Sequence, residues 1–415
     1  MTTLSSTPFY NLLCFGCGHS VSPAAEQGYT CPECGEPLSI EVAARVSPLE
    51  HFTTKPDSMW YYAPLLPVDP HQAVSLGEGA TPLLNAPRLA EKLGAGAVLL
   101  KNEGANPTGS FKDRQVSVGI TRARELGRDT VAVVSSGNVA CAASAYAARA
   151  GMKAVLMMHG HAAGTKVQQA LAYGGKAIQV DTPSAMAVFD LCREACERLG
   201  WYHLSTAGMY EPFNVEGAKT LAYEICQQTG GELPDWVVAP VGGGGLLGGI
   251  WRGFRDLKNL GVVDRIPRLA GVQAAGCAPL GQALDEGWSF LESLDHPWPN
   301  PETIAGGIAD DVLFDGHTVL PAIRETNGLA IAVDDPAIIR GLRGLAEMEG
   351  VLVEPTCAVV VEALSQLPEV NAGTRICVIL TGNGIKDLQS VSPHLPEATR
   401  IPATQDALFE AVASM

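Results

Sequence analysis

The sequence predicts an α/β fold: two parallel sheets, each covered by helices. Short β-branched runs alternate with segments of helical apolar spacing between about residues 131 and 199, and a second such series runs from 236 to 380. The joins are short, which suits crossover connections between parallel strands. With 415 residues, 47% hydrophobic and 17% charged, the chain has enough apolar content for buried sheets and for more than one domain.

In chain order, the first feature is a pair of knuckles. Residues 14 to 19 read C-F-G-C-G-H, thirteen residues separate Cys17 from Cys31, and C-P-E-C-G-E follows. Two CxxCG turns let Cys14, Cys17, Cys31 and Cys34 converge on one ion, which predicts a structural Zn2+ site in a small ribbon at 1–45. The other seven cysteines stand among apolar neighbours and read as small core residues. A proline-rich connection runs to about residue 70.

"VAVVSS" (131–136) is then a strand, and "NVACAASAYAARAG" a helix that stops at Gly151. "KAVLMM" is a strand, "GTKVQQALAYGG" a helix with a glycine stop, "AIQV" a strand, and 184–199 a helix. The second series is "WVVAPV" (236–241), the helix "LLGGIWRGFRDL" and the strand "RLAGVQA". It continues with "LAIAV", a helix opening at Asp335-Pro336, another from Pro355, and the strand "RICVIL" (375–380). Residues 276–327 show no assignable element.

Charge and hydropathy exclude several classes. A net charge of −16 argues against a nucleic-acid partner, which needs clustered Lys and Arg. No run approaches the roughly 18 apolar residues of a membrane helix. The N-terminus lacks a basic start followed by an apolar segment, so the expected setting is cytoplasmic.

The chemistry is expected in the joins. "PVGGGGLLGG" (240–249) links a strand to a helix, where backbone N–H groups and the helix dipole suit an anion. Gly243, Gly245 and Gly248 also fit a dinucleotide spacing, but the next strand ends in Gln273 and Ala274 rather than the acid that would hold a ribose. A phosphate cradle is therefore favoured. "NPTGSFKDRQ" (106–115) places Lys112 at a second strand-turn-helix join, while "SSGN" (135–138) and "TGNG" (381–384) follow strands. In open α/β sheets such joins face one crevice. A lysine and a phosphate cradle in one crevice point to pyridoxal 5'-phosphate, held covalently through the lysine and by its phosphate.

"SLGEGATPLL", "KNEGANPTGSFKDR", "SSGNVACAASAYAARAG", "PVGGGG" and "LTGNGIKD" occur in an order that resembles the threonine synthases, members of the tryptophan-synthase-β-like group of pyridoxal phosphate enzymes. The likeness spans about 75–390, and an N-terminal zinc ribbon also occurs in some threonine-synthase-like proteins. The resemblance implies that Lys112 carries the cofactor and moves protons between substrate carbons. Asn138 would bond the ring hydroxyl oxygen, Gly242, Gly243, Gly244 and Gly245 would hold the cofactor phosphate, and Thr381 would face the ring nitrogen and leave it unprotonated. The backbone of Ser135, Ser136, Gly137, Asn138 and Val139 would receive the substrate carboxylate, and Lys166 matches a family lysine near the substrate. Two departures concern that substrate. The family's arginine for substrate phosphate is Asn214 here, in "EPFNVEGAKT", and a small polar residue after SSGN is Val139.

The expected function is conversion of O-phospho-L-homoserine and water to L-threonine and phosphate. A relative acting on a different amino acid by elimination or replacement is the alternative, and a catalytically silent zinc-ribbon regulator is the alternative of another class. The expected partners are a small amino-acid substrate and a second copy in a homodimer. The expected division is a large-domain first part at 46–112, a small domain at 113–208, a large-domain second part at 209–395, and a tail at 396–415.

Overall fold

In a computed structural model, residues 10–23, 28–43, 56–159, 164–182 and 185–414 are described. The first strands are β1 (Tyr10–Leu13), β2 (Ser20–Val21) and β3 (Ser39–Val42), an antiparallel sheet in the order β2-β1-β3. Its apolar residues Leu12, Leu38 and Ile40 do not close a core of their own. They pack with Met59, Leu66, Val68, Val118 and Phe213 of the body that follows. Tyr10 meets the Phe213 ring edge-on at 5.4 Å, and Phe15 lies 4.9 Å from Trp251.

Next come β4 (Leu83–Asn85) and β5 (Ala97–Asn102), then β6 (Thr130–Val134), β7 (Lys153–His159), β8 (Lys176–Val180) and β9 (Tyr202–His203). The strands β10 (Trp236–Pro240), β11 (Arg268–Ala274), β12 (Leu329–Val333) and β13 (Arg375–Leu380) complete the set. They form a six-stranded sheet, β12-β11-β10-β13-β5-β4, and a four-stranded sheet, β8-β7-β6-β9. All pairings within these two are parallel except β4 with β5. The α/β expectation is met, with one antiparallel edge that the sequence did not announce.

Apolar residues on both faces explain why the central strands read as unbroken hydrophobic runs. Along β10, Trp236 and Val238 enter one core while Val237 and Ala239 enter the other; along β13, Ile376, Val378 and Leu380 alternate likewise with Cys377 and Ile379. The helix Asn138–Ala150 stops where Gly151 takes φ +71°, and Asp335–Glu349 begins where the Asp334 carboxylate accepts from the Ala337 N–H at 2.8 Å.

The stretch 276–327, unassignable by pattern, contains the helices Pro279–Asp285, Phe290–Leu294 and Gly316–Glu325. The last holds Pro321 in its interior, a residue that ordinarily marks a break. The first two are only seven and five residues long. Short segments carry little periodicity to detect.

Candidate active site

A turn through Asn106–Gly109 follows β5, with Gly109 at φ +87°, and the helix Lys112–Glu125 starts directly after it. The Phe111 N–H donates to Thr381 O at 3.0 Å, and Ser110 bridges to Gly382, so the start of this helix is fastened to the end of β13. Behind it, Arg114 bonds Glu103 (2.6 Å) and Glu224 (2.6 Å), while Lys101 of β5 bonds the other oxygen of Glu224 at 2.6 Å. All four side chains are fully buried. Losing one partner of such a network strands a buried charge, so the network fixes where Lys112 emerges.

Lys112 opens into a cleft of about 580 Å³ between the two parallel sheets. Its Nζ donates to Gln115 Oε1 (3.2 Å) and Thr206 Oγ1 (3.3 Å) and stands 4.5 Å from the centre of the Phe111 ring. Burial pulls this amine down to about 8 against the opposing pull of Asp310 and Asp315. A lysine near its neutral form at ordinary pH is a usable nucleophile and base.

Gly242–Gly245 form part of the same cleft, between β10 and the helix Gly245–Asn259. Gly244 has φ +103°, and a Cβ on it would come within 2.7 Å of Val319 Cγ1. A Cβ on Gly242 would lie 2.5 Å from Asp310 Oδ2, and one on Gly245 2.7 Å from Asp315 Oδ2. The glycines are thus required by the close approach of 310–319 as well as by backbone shape. Burial raises Asp310, and it raises Asp315 to about 7 although the Gly208 N–H donates to its Oδ1 at 2.7 Å.

Ser135, Ser136, Gly137, Asn138 and Val139 line the opposite wall, at the N-terminus of the helix Asn138–Ala150. Asn138 donates from Nδ2 to Glu354 Oε1 at 2.9 Å, and its buried Oδ1 has no partner among the described residues. Thr381 lines the cleft after β13, its backbone N–H donating to Cys357 Sγ at 3.2 Å. Lys166 lines it as well, paired with Glu354 (2.7 Å) and Asp387 (3.0 Å). Burial alone would lower this ammonium, but Glu354 and then Asp387 hold it above its usual value. Among the described lining residues the lysines are Lys112 and Lys166, and the acids are Asp310, Asp315 and Asp387.

Asn214 is the exception to the expected grouping. It does not line the cleft. Its side chain is fully buried, with Nδ2 donating to Ser205 O at 2.6 Å and its backbone N–H to Glu211 Oε2 at 2.8 Å. Gly119 leaves room for it. The Pro212–Glu216 helix turns this position inward, so an asparagine here fills space between helices rather than meeting a ligand. His159, the last residue of β7, is exposed and bonds Thr182 O at 2.8 Å.

Sequence patterns missed Asp310, Asp315 and Phe314, which line the cleft from the stretch without assignable elements. They also missed Glu354 as the partner of both Asn138 and Lys166. Only its place before Pro355, at a helix start, could have drawn attention to it.

At the other end of the chain, the four Sγ atoms of Cys14, Cys17, Cys31 and Cys34 lie within 4.8 Å of one another. Cys14–Cys34 are 3.4 Å apart and Cys17–Cys31 3.6 Å. A tetrahedron with metal–sulfur bonds of about 2.3 Å has edges of about 3.8 Å, so the cluster fits one such ion.

The cleft suits pyridoxal phosphate in three respects: a lysine of lowered pKa, a glycine cradle at a helix N-terminus, and an orphaned polar oxygen on Asn138. The family model for pyridoxal-phosphate dependent enzymes matches residues 74–382. A curated threonine synthase of Methanosarcina acetivorans is 38% identical over 411 residues, covering 97% of this chain and 98% of that one. The threonine synthase of Methanocaldococcus jannaschii is 37% identical, covering 95% and 97%, and that of Synechocystis sp. 40% identical, covering 79% and 82%. Among solved structures, maize serine racemase superposes with a TM-score of 0.63 at 23% identity, covering 76% of this chain and 92% of its own. An O-ureido-L-serine synthase gives 0.65 at 23%, covering 80% and 96%. The chain belongs to the pyridoxal-phosphate dependent enzyme family.

Proposed function

We propose that the protein is a threonine synthase, a lyase that converts O-phospho-L-homoserine and water to L-threonine and phosphate. The observation that carries this reading is the 38% identity to a curated threonine synthase over nearly the full length of both chains. When bound, the cofactor supplies an electron-withdrawing ring joined to the substrate nitrogen. The chain supplies the rest. Gly242–Gly245 would hold the cofactor phosphate through backbone N–H groups, and Asn138 and Thr381 would bond its ring substituent and ring nitrogen. The N-terminal backbone of Ser135–Val139 receives the substrate carboxylate. Lys112 Nζ takes and returns protons at the substrate carbons, which its pKa of about 8 suits. Over the whole reaction the Cγ–O bond breaks with its electron pair leaving on phosphate. A proton leaves Cβ, one arrives on Cγ, hydroxyl from water ends on Cβ, and the water's remaining proton ends on the released phosphate. The test is incubation of the purified holoenzyme with O-phosphohomoserine: threonine and phosphate should appear one to one, and their joint absence overturns the reading.

One observation favours the alternative, elimination or replacement on an amino acid without a phosphate. Lys166 is already shared by two carboxylates. A panel of amino acids, scored by change in the cofactor absorbance, separates the two readings.

The four-cysteine cluster is read as a structural zinc site in a ribbon at 1–45, supported by the sulfur spacing. Protein grown with ample zinc should carry about one zinc per chain, and a metal-free product would end that reading. The small domain is read as 113–208, supported by the four-stranded sheet within it. We also read the protein as a cytoplasmic homodimer; no helix among the described residues is long and apolar enough to cross a membrane.

A further inference from the structure

Lys166 has two carboxylate partners of unequal standing. Glu354 is 2% exposed; its Oε1 accepts from Asn138, and its Oε2 forms an ion pair with Lys166 at 2.7 Å without hydrogen-bond geometry. Withdrawing it would leave a charge stranded in the interior. Asp387 is 25% exposed, and its contact with Lys166 is the longer of the two at 3.0 Å. Its other oxygen accepts the Ser390 hydroxyl at 2.7 Å. With all three ionised the group carries net −1, so as it stands it does not attract a substrate dianion. One carboxylate has to give way, and the solvent-facing one is held less firmly.

We propose that Asp387 occupies the position on Lys166 that a substrate phosphate takes during turnover, and so sets how tightly phosphorylated substrates are held. This rests on the reading of the protein as an enzyme of a phosphorylated amino acid. Phosphate oxygens make short charge-assisted bonds to an ammonium and compete well with a carboxylate that is one-quarter exposed. Glu354 stays in place and keeps both Lys166 and Asn138 oriented. Lys166 is the second residue of the helix Thr165–Ala172, so backbone N–H groups of its first turn assist the incoming anion. Asp387 is then a specificity residue: it costs affinity for phosphate and keeps Lys166 from taking up phosphate-bearing molecules that cannot displace it.

The test uses the holoenzyme with inorganic phosphate as the probe, by titration calorimetry. Asp387→Asn keeps an oxygen for Ser390 and removes the charge. It should bind phosphate about three- to fivefold more tightly than wild type, the range an exposed pair supports. The Michaelis constant for O-phosphohomoserine should fall by a similar factor. Both gains should vanish when Lys166→Met is already present, which separates a local exchange from a general change of charge. Cofactor absorbance and melting temperature verify that each variant is folded. Should the asparagine variant not fold, Asp387→Ala gives the same sign. Phosphate affinity that is unchanged or weaker in the folded variant overturns the proposal and makes Asp387 a support for Lys166. Calorimetry needs no turnover, so a wild type that releases no phosphate from O-phosphohomoserine strikes the functional reading alone.

Discussion

Two parts of the cleft lining, Gly242–Gly245 and Lys166, prepare for anions by different means. At Gly242–Gly245 the donors are backbone N–H groups at a helix N-terminus, and the one on Gly243 bonds the Asp310 carboxylate. At Lys166 the donor is a full charge, and Glu354 and Asp387 have already claimed it. An anion entering the first meets dipoles fixed by the path of the chain, with one carboxylate, Asp310, beside them. An anion entering the second meets an ammonium already held by two carboxylates. The first arrangement suits a cofactor that stays, the second a substrate that arrives and leaves.

Several substitutions break or sharpen this contrast. The largest effect belongs to neither part but to Lys112. Lys112→Ala should lower turnover by at least about 10²- to 10⁴-fold, since it removes the positioned base. Full activity in that variant, measured as threonine release, would remove Lys112 from the chemistry. Gly244→Ala should come next. It forces a side chain into φ +103° and against Val319, a strain on the order of 1–3 kcal/mol that should appear as weaker cofactor binding. Equilibrium dialysis of the cofactor is the check, and unchanged affinity would mean that the cradle is not its seat.

Asn214→Arg is a control away from both. The family pattern invites the arginine, but the site is closed by Gly119 and Ser205. Overpacking should cost about 1–3 kcal/mol in thermal or denaturant unfolding, with no fall in the Michaelis constant. A lower Michaelis constant at intact stability would show that the side chain reaches the cleft.

The smallest effect is one of pH. Lys112 must be neutral to join a carbonyl carbon, and its value of about 8 lies below that of an ordinary lysine. The rate of cofactor uptake by the apo protein should therefore rise with pH and level off above about pH 8. A rise that continues past pH 10 would show an unperturbed lysine.

The same contrast explains what could be read from the sequence. Lys112, Asn138, the four glycines and Thr381 each sit at a join between a strand and a helix, where residues adjacent in sequence fix the geometry, and all line the cleft. The Lys166 part draws on residues remote in sequence: Lys166 and Asp387 are 221 residues apart, and Asn138 and Glu354 are 216 apart. No local pattern encodes such a pairing. Asn214 lies off the cleft because a motif gives an order of residues, not the direction in which a five-residue helix faces. Asp310 and Asp315 were missed because the segment before them has little periodicity, and β4 because a three-residue strand carries almost none.

The chemistry depends on Lys112, which lines the same cleft as the glycine cradle. Borohydride reduction of the holoenzyme followed by peptide mapping tests this most directly. The reduced cofactor should be found on Lys112 alone, in the peptide containing Asn106–Gln115. A label on Lys166, on Lys101 or on any other lysine, or a loss of cofactor on denaturation after reduction, would contradict it.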